Sequence, residues 1–386
     1  TVSLLQNEET KSPLKTNYQG LKFEKVTPYH IRFTLPSPYA YFLNNMTIGI
    51  LPYHILRDLP PARLLSHTFN LTPIGTGPFM FKKLQLNNNE TRYSSIVLEK
   101  NPNYYVKEPY LDNVIFKFYA SPIDLISAYQ RREIDGISTI SSLDMPELKH
   151  TSINFYFLNI PEIKAVFFNL QSDSPLREAV VRNVLNQAVP KQAMVNQIFN
   201  RIGFPISGPL MAPLQISTPE NEAPPISSLQ AMLEEAGWKQ TDSPVRQKGD
   251  QSLTFSLITD DNSENLQIAS FLQETWKRLG IDVTVDIFYQ KTFIHDYLEP
   301  KNYDAALFKI NLGNDPDQYP LWHSSQADKE YSFNFSNYKN SKVDVLLEDA
   351  RRILDPVKRQ EKYQLFEQLL LAETPAIFLY SPYYIY

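Results

Sequence analysis

The amino-acid sequence predicts an α/β protein in two regions, a mixed α+β part followed by an α/β part. Three observations carry this expectation. The chain has 386 residues, more than one hydrophobic core usually holds, so two or more domains are expected. Residues 252–288 read strand, helix, strand at the spacing of a parallel crossover unit. Residues 21–34 alternate apolar and polar positions around Pro28, as half-buried strands do.

Taken in order, SPYAYFLNNMTIGILPYHIL follows that first strand region as a short helix and loop. GTGPFMFKKL turns on Gly75, Gly77 and Pro78 into a strand. TRYSSIVLEK is a further strand, closed by the Asn-Pro turn of NPNYY. YLDNVIFKFY runs to Ser121-Pro122, where a helix begins with Ile123, Ile126 and Tyr129 on one face. From Lys164, KAVFFNLQ is a short buried strand, and Leu176, Val180, Val184, Leu185 and Ala188 then recur at helical spacing. Pro190 opens another helix in the first-turn position it tolerates. Residues 203–228 carry six prolines and no long apolar run, so they read as a surface excursion. In the crossover unit, SLTFSLIT and IDVTVDIF are strands, NSENLQIASFLQETWKRL is the helix between them, and Gly280 fits its C-terminal cap. YDAALFKI is one more strand. Two long helices from Lys342 to about Leu371 precede the closing strand AIFLYSPYY.

Composition excludes several classes. Hydrophobic residues make up 42% and charged residues 20%, which is ordinary for a folded protein. Lys plus Arg is 37 against 42 Asp plus Glu, a net charge of −5 with no large basic block, so nucleic acid is not an expected partner. The 23 Tyr and 23 Phe supply packing, and tyrosine also suits ligand clefts, where its ring gives area and its hydroxyl a polar tip. Absence of cysteine removes disulfides, thiol nucleophiles and Cys-based zinc sites. No stretch approaches the length of a membrane span. The polar opening run and the apolar, aromatic last residues make the chain read as a fragment, since a domain seldom stops inside a strand.

The stretch GNDPDQYPLWHSSQ, residues 313–326, follows YDAALFKI directly. In open α/β sheets ligands gather outside the carboxyl ends of the strands, so this is where a ligand is expected. Asp315 and Asp317 invite a reading as general acid and base. Residues i and i+2 around a proline usually face different ways, however, and no nucleophile or polarising group stands nearby. A turn with one or two ligand-facing polar groups is the preferred reading, and DPDQ offers too few oxygens for calcium. Trp322 reads as either a core residue or a ligand platform, whereas Trp238 and Trp276 fall in helical packing patterns. The six histidines are scattered, without the spacing of a metal pair. No phosphate loop, nucleophile elbow or dinucleotide-binding fingerprint occurs.

The ordered series HIRFTLPSPYAYFLNN, GILPYHIL, IGTGPFMF, EKNPNYYVKEPYLDNVIFKFY, LISAYQRREIDGI, VFFNLQ with SPLREAVVRNVLNQAV, AGWK, LQETWKRLGIDVTV, and PDQYPLWHSSQ through AIFLYSPYY runs along nearly the whole chain. It resembles family 5 of the bacterial extracellular solute-binding proteins, the oligopeptide-, dipeptide- and nickel-binding components of ABC importers. The resemblance implies a two-lobed, type II periplasmic-binding-protein-like architecture that closes around a solute, with VFFNLQ and AIFLYSPYY as hinge crossings. It makes 1–163 the later part of a first, α+β lobe, 164–378 the distal α/β lobe and 379–386 a return hinge strand. The implied protein is an extracytoplasmic receptor, a monomer and not an enzyme. It needs no cofactor or metal, and it hands a peptide or similar small solute to an ABC permease. A ligand-sensing domain of a transcriptional regulator, a receptor for a non-peptide solute, and a hydrolase using Asp315 and Asp317 are the alternatives.

The expected substrate-binding residues are Lys309, Asn311, Gly313, Asn314, Asp315, Asp317, Trp322, Tyr380 and Tyr383, with the backbone of 311–317 supplying main-chain hydrogen bonds. One departure stands out. Peptide binders of the family carry a tryptophan-and-aspartate segment whose aspartate pairs with the peptide's amino group. In a gapless alignment the acidic position falls on Leu312 and the tryptophan position on Lys309. Amine capture of that kind contributes about 1.5–3 kcal/mol.

Overall fold

The computed structural model describes residues 1–12, 14–87, 92–148, 153–211, 223–313, 317–329 and 331–386. They fall into two compact units. The first comprises Thr1–Pro36, Asn45–Ile140 and Pro146–Ile153, the second Ser37–Asn44, Ser141–Met145 and Asn154–Tyr386.

The first unit holds the short helices α1 (Val2–Gln6) and α2 (Lys15–Tyr18), the hairpin of β1 (Lys22–Thr27) and β2 (His30–Thr34), and helix α3 (Tyr53–Leu56). An antiparallel meander follows, of β3 (Phe79–Leu86), β4 (Tyr93–Lys100) and β5 (Asn113–Lys117). Its entry turn is fixed by Asn101, whose backbone N–H donates to the Pro78 carbonyl and whose side-chain amide donates to that of Gly77, both at 2.9 Å. Helix α4 (Pro122–Gln130) starts on Ser121, whose hydroxyl accepts the Asp124 N–H, with proline in the first turn. The sequence pattern of 21–34 is realised as two strands turning at Pro28. Their residues are almost all exposed, contrary to the half-burial that the alternation suggested. Ile123 is likewise exposed, while Ile126 is buried.

The second unit is built on one mixed sheet. Its strands are β7 (Glu162–Phe168), β8 (Phe204–Pro205), β11 (Thr254–Asp260), β12 (Asp282–Phe288), β13 (Ala305–Asn311) and β14 (Ala376–Ser381), in the order β12-β11-β13-β7-β14-β8. Two small ribbons accompany it: β6 (Phe157–Asn159) with β15 (Tyr383–Ile385), and β9 (Gln247–Lys248) with β10 (Gln251–Ser252). Strands β11, β12 and β13 run parallel, and β7 lies antiparallel to both β13 and β14. The predicted crossover at 252–288 is therefore present, with α8 (Ser263–Lys277) between the paired strands. The Asn262 side chain caps α8 by accepting from the Glu264 and Asn265 N–H groups, and Gly280 leaves it at φ +74°.

Helices cover both faces of the sheet. Alternate residues of β7 sort its sides, as the two-residue strand period requires. Val166 and Phe168 join the core formed with α5 (Ala179–Ala188), α6 (Lys191–Phe199), α7 (Ile226–Glu235) and α8. Ile163, Ala165 and Phe167 join the opposite core, formed with α10 (Tyr319–Trp322), α11 (Ser341–Arg352) and α12 (Pro356–Glu373); the short α9 (Gln290–Thr292) precedes them in the chain. Buried cations tie these layers together. Arg182 on α5 donates to the carbonyls of Leu176, Arg177, Glu373 and Thr374, thereby closing the carboxyl end of α12. Lys301 donates to the Ala327 carbonyl (2.5 Å), Ser332 Oγ (3.0 Å) and Asn337 Oδ1 (3.0 Å), gathering the loop before α11.

Candidate functional site

The carboxyl edge of β13 meets the motif at 313–326. Asn311 Oδ1 accepts the Gly313 N–H at 2.8 Å, and Gly313 turns the chain at φ +66°, a conformation glycine reaches without a Cβ clash. The Leu312 N–H donates to the Pro161 carbonyl at 2.7 Å, and its side chain packs against the α11–α12 core. Asn314 and Asp315 lie outside the described residues.

Asp317 points inward. Its side chain is 6% exposed and binds Arg351, with Oδ2 at 2.7 Å from Nη2 and 2.8 Å from Nε. Its Oδ1 accepts the Tyr319 N–H at 3.1 Å, starting α10. The guanidinium lies 3.9 Å from the centre of the Tyr319 ring, a cation–π contact, and 5.7 Å from that of Tyr39. The carboxylate expected to face a ligand thus serves as an internal counter-ion. Trp322 is also inside, 1% exposed, stacked near Phe167 and edge-on to Phe378 and Tyr338. The core reading of this tryptophan holds in the structure, because a four-residue helix directly after the turn folds it back onto the sheet.

Tyr380 and Tyr383 lie on the closing strands. Tyr380 is 1% exposed and stacks on Phe199 with ring centres 4.5 Å apart, so its ring is packing material rather than surface. Burial, and next the Glu264 carboxylate beside it, hold its hydroxyl well above the ordinary tyrosine pKa. Tyr383 is half-buried between Phe157 and Phe204.

The structure gathers Lys309, Asn311 and Tyr380 with residues that sequence reasoning missed. Register places Lys309 directly opposite Lys164, and Asn311 opposite Glu162, on β7. Tyr380 pairs with Lys164 from the other side. Because opposed residues share a face, Lys309, Lys164 and Tyr380 form a polar row across three strands. Glu162 accepts from Lys309 at 2.7 Å and from Asn311 Nδ2 at 3.3 Å. Lys164 Nζ reaches Asn265 Oδ1 at 2.5 Å and stands 4.0 Å from Glu264 Oε2. Asn265 Nδ2 donates to Asp260 Oδ1 at 2.5 Å, and Ser141 donates to Glu264 Oε1 at 2.8 Å. Burial depresses the Lys164 pKa, opposed mainly by Glu264. The result is a hydrogen-bonded polar face where β11 and β13 end and α8 begins, the position at which open α/β sheets meet ligands. Two signals could have found it: a lysine inside the apolar strand IKAVFF, and the run DDNSEN closing a parallel strand.

Among the described residues, no group of three or more His, Asp or Glu side chains is placed to hold a metal ion, and no helix is long and apolar enough to cross a membrane.

The fold is that of solute-binding proteins of the type II periplasmic-binding architecture. The family model described as bacterial extracellular solute-binding proteins, family 5 (middle), matches residues 2–332, and the chain belongs to this family. It is 29% identical over 395 residues to the oligopeptide-binding protein AppA of Bacillus subtilis (strain 168), covering 99% of this chain and 71% of that protein. With protein XP55 of Streptomyces lividans it shares 27% over 356 residues, 90% of this chain and 62% of XP55. The chain thus spans about two thirds of the length of these relatives. Among solved structures, B. subtilis AppA in complex with a nonapeptide is matched over all of this chain and 77% of that one, at TM-score 0.77 and 28% identity. NikZ of Campylobacter jejuni in complex with Ni(L-His) matches at TM-score 0.82 and 24% identity, covering 100% and 76%, and shares the fold.

Proposed function

We propose that the chain is the solute-capturing part of an extracytoplasmic receptor for an ABC importer, binding a peptide or similar small solute and delivering it to a membrane permease. The observation that carries this reading is the polar face at the carboxyl ends of β11 and β13, in a chain of this family. Its half-exposed Lys309 and Asn311 and the turn at Gly313 offer donors and acceptors to an extended ligand. The names of relatives, oligopeptide-binding and Ni(L-His)-bound among them, support a small solute. Lobes of 1–163 and 164–378 joined through 379–386 belong to the same proposal, as does a monomeric receptor. Binding without catalysis is also proposed, supported by Asp317 being committed to Arg351 rather than poised as an acid or base. Closure requires only that the ligand bind one conformation better than the other.

Native mass spectrometry of the protein, gently purified from its own cells, tests the proposal. Bound masses that resolve into peptides on denaturation are expected. A single non-peptide mass would replace the solute class. An empty protein that also ignores a peptide mixture in calorimetry would overturn the receptor reading.

A further inference from the structure

We infer that Ser37–Asn44 is a strap, carried by the chain of the first unit and docked on the second, that steadies the corner between α11 and α12 and through it the turn after β13. Its link to solute capture rests on the receptor reading above. The chain leaves the first unit at Pro36, just after β2, and re-enters it at Asn45, whose carbonyl accepts the Tyr18 hydroxyl. Pro36 and Pro38 restrict the backbone where the excursion begins.

Between these points the strap grips the second unit by three residues in a row. The Ala40 N–H donates to the Arg351 carbonyl at 2.7 Å, filling one of the acceptors that the end of α11 leaves open. Tyr41 is 5% exposed and belongs to the same core as α11 and α12. The Arg359 guanidinium lies 4.8 Å from the centre of its ring and donates to the Ile353 carbonyl at 2.9 Å, so one cation holds both strap and corner. Tyr39 meets Tyr41 edge-on, with ring centres 6.1 Å apart, and its hydroxyl stands 3.5 Å from Asp317 Oδ2, the oxygen that Arg351 binds. Asp317 in turn holds the Tyr319 N–H. The strap therefore reaches the motif through Arg351 and Asp317. Its grip is local: Arg351 is 33% exposed and Arg359 half-buried, so both can recover water, and the strap can undock without the sheet unfolding. A segment whose flanks belong to the other unit must follow the second unit or come off it whenever the two move. By linkage, whatever steadies the turn also steadies the strap.

The test is residue-resolved amide hydrogen exchange by NMR on the full protein, first without ligand. Ala40 is expected to be protected in the wild type. Tyr41→Leu and Arg359→Met should each speed exchange about fivefold at Ala40 and at Tyr319, the factor that loss of a cation–π contact supplies, while amides of α8 keep their wild-type rates. Arg359 is half-buried, so its variant remains informative if Tyr41→Leu does not fold. An unprotected Ala40 in the wild type, or an unchanged Tyr319 where Ala40 is released, overturns the inference. Acceleration that includes α8 equally also overturns it, because the strap would then be ordinary packing. The second arm is titration with trialanine. Bound trialanine should slow exchange at Ala40, and the strap variants should weaken its binding by a matching factor. Binding that leaves Ala40 unchanged overturns the link to capture. If trialanine does not bind, it is the peptide reading that fails, and exchange at Ala40 and Tyr319 decides the strap by itself.

Discussion

Replacing Asp317 by alanine separates a structural from a ligand-binding role for the acid nearest the motif's centre. The Asp317 carboxylate makes two contacts to the Arg351 guanidinium, at 2.7 and 2.8 Å, and accepts the N–H that starts α10. Removing one partner of a buried ion pair costs about 3–5 kcal/mol. Here the Arg351 side chain is 33% exposed and can recover water, so about 2 kcal/mol is expected from the pair. The lost acceptor at Tyr319 adds about 1 kcal/mol. The total of about 3 kcal/mol corresponds to a fall of roughly 6–12 °C in Tm for a unit of this size. Thermal and urea unfolding of Asp317→Ala, Arg351→Met and the double variant would measure it. The double variant should lose less than the sum of the singles, because each single strands the other group. Ligand affinity per folded molecule should be preserved. Unchanged stability with abolished binding would refute the argument and return Asp317 to the ligand.

Two further outcomes follow from buried cations. Arg182→Met leaves the carbonyls of Leu176, Arg177, Glu373 and Thr374 without their donor and should cost about 4 kcal/mol in urea unfolding, whereas a loss under about 1 kcal/mol would contradict the capping role. Lys301 has its pKa pushed down to about 8 by burial, against about 10.4 in an unfolded chain. Between those values the unfolded state holds the extra proton, so stability rises with pH from about 8 to about 10. The stability of the wild type relative to Lys301→Met should therefore grow over that window; a difference that shrinks would show that the ammonium form is the one the loop stabilises.

The sequence by itself determined the elements whose causes are local. The crossover at 252–288 was legible because strand composition, the Asn262 cap and Gly280 are all encoded within a few residues of the boundaries they create. The carboxyl end of the parallel strands was legible for the same reason, since a parallel pair fixes where that edge lies. Side-chain roles in the motif were not. Asp317 faces inward because Arg351, 34 residues on, supplies its counter-ion, and Trp322 is buried because Phe167 and Phe378 come from other strands. The hairpin at 22–34 carried the alternation of a half-buried sheet, yet alternation states which face could be covered and not whether anything covers it. Lys164 is the sharpest case. In sequence it is a lysine in an apolar strand. Only strand register sets it against Lys309, and only the docking of α8 brings Asn265, 101 residues away, within 2.5 Å. Periodicity acts over a few residues, whereas the electrostatic partners of a buried charge are chosen by how distant segments pack, and that was left to the tertiary structure.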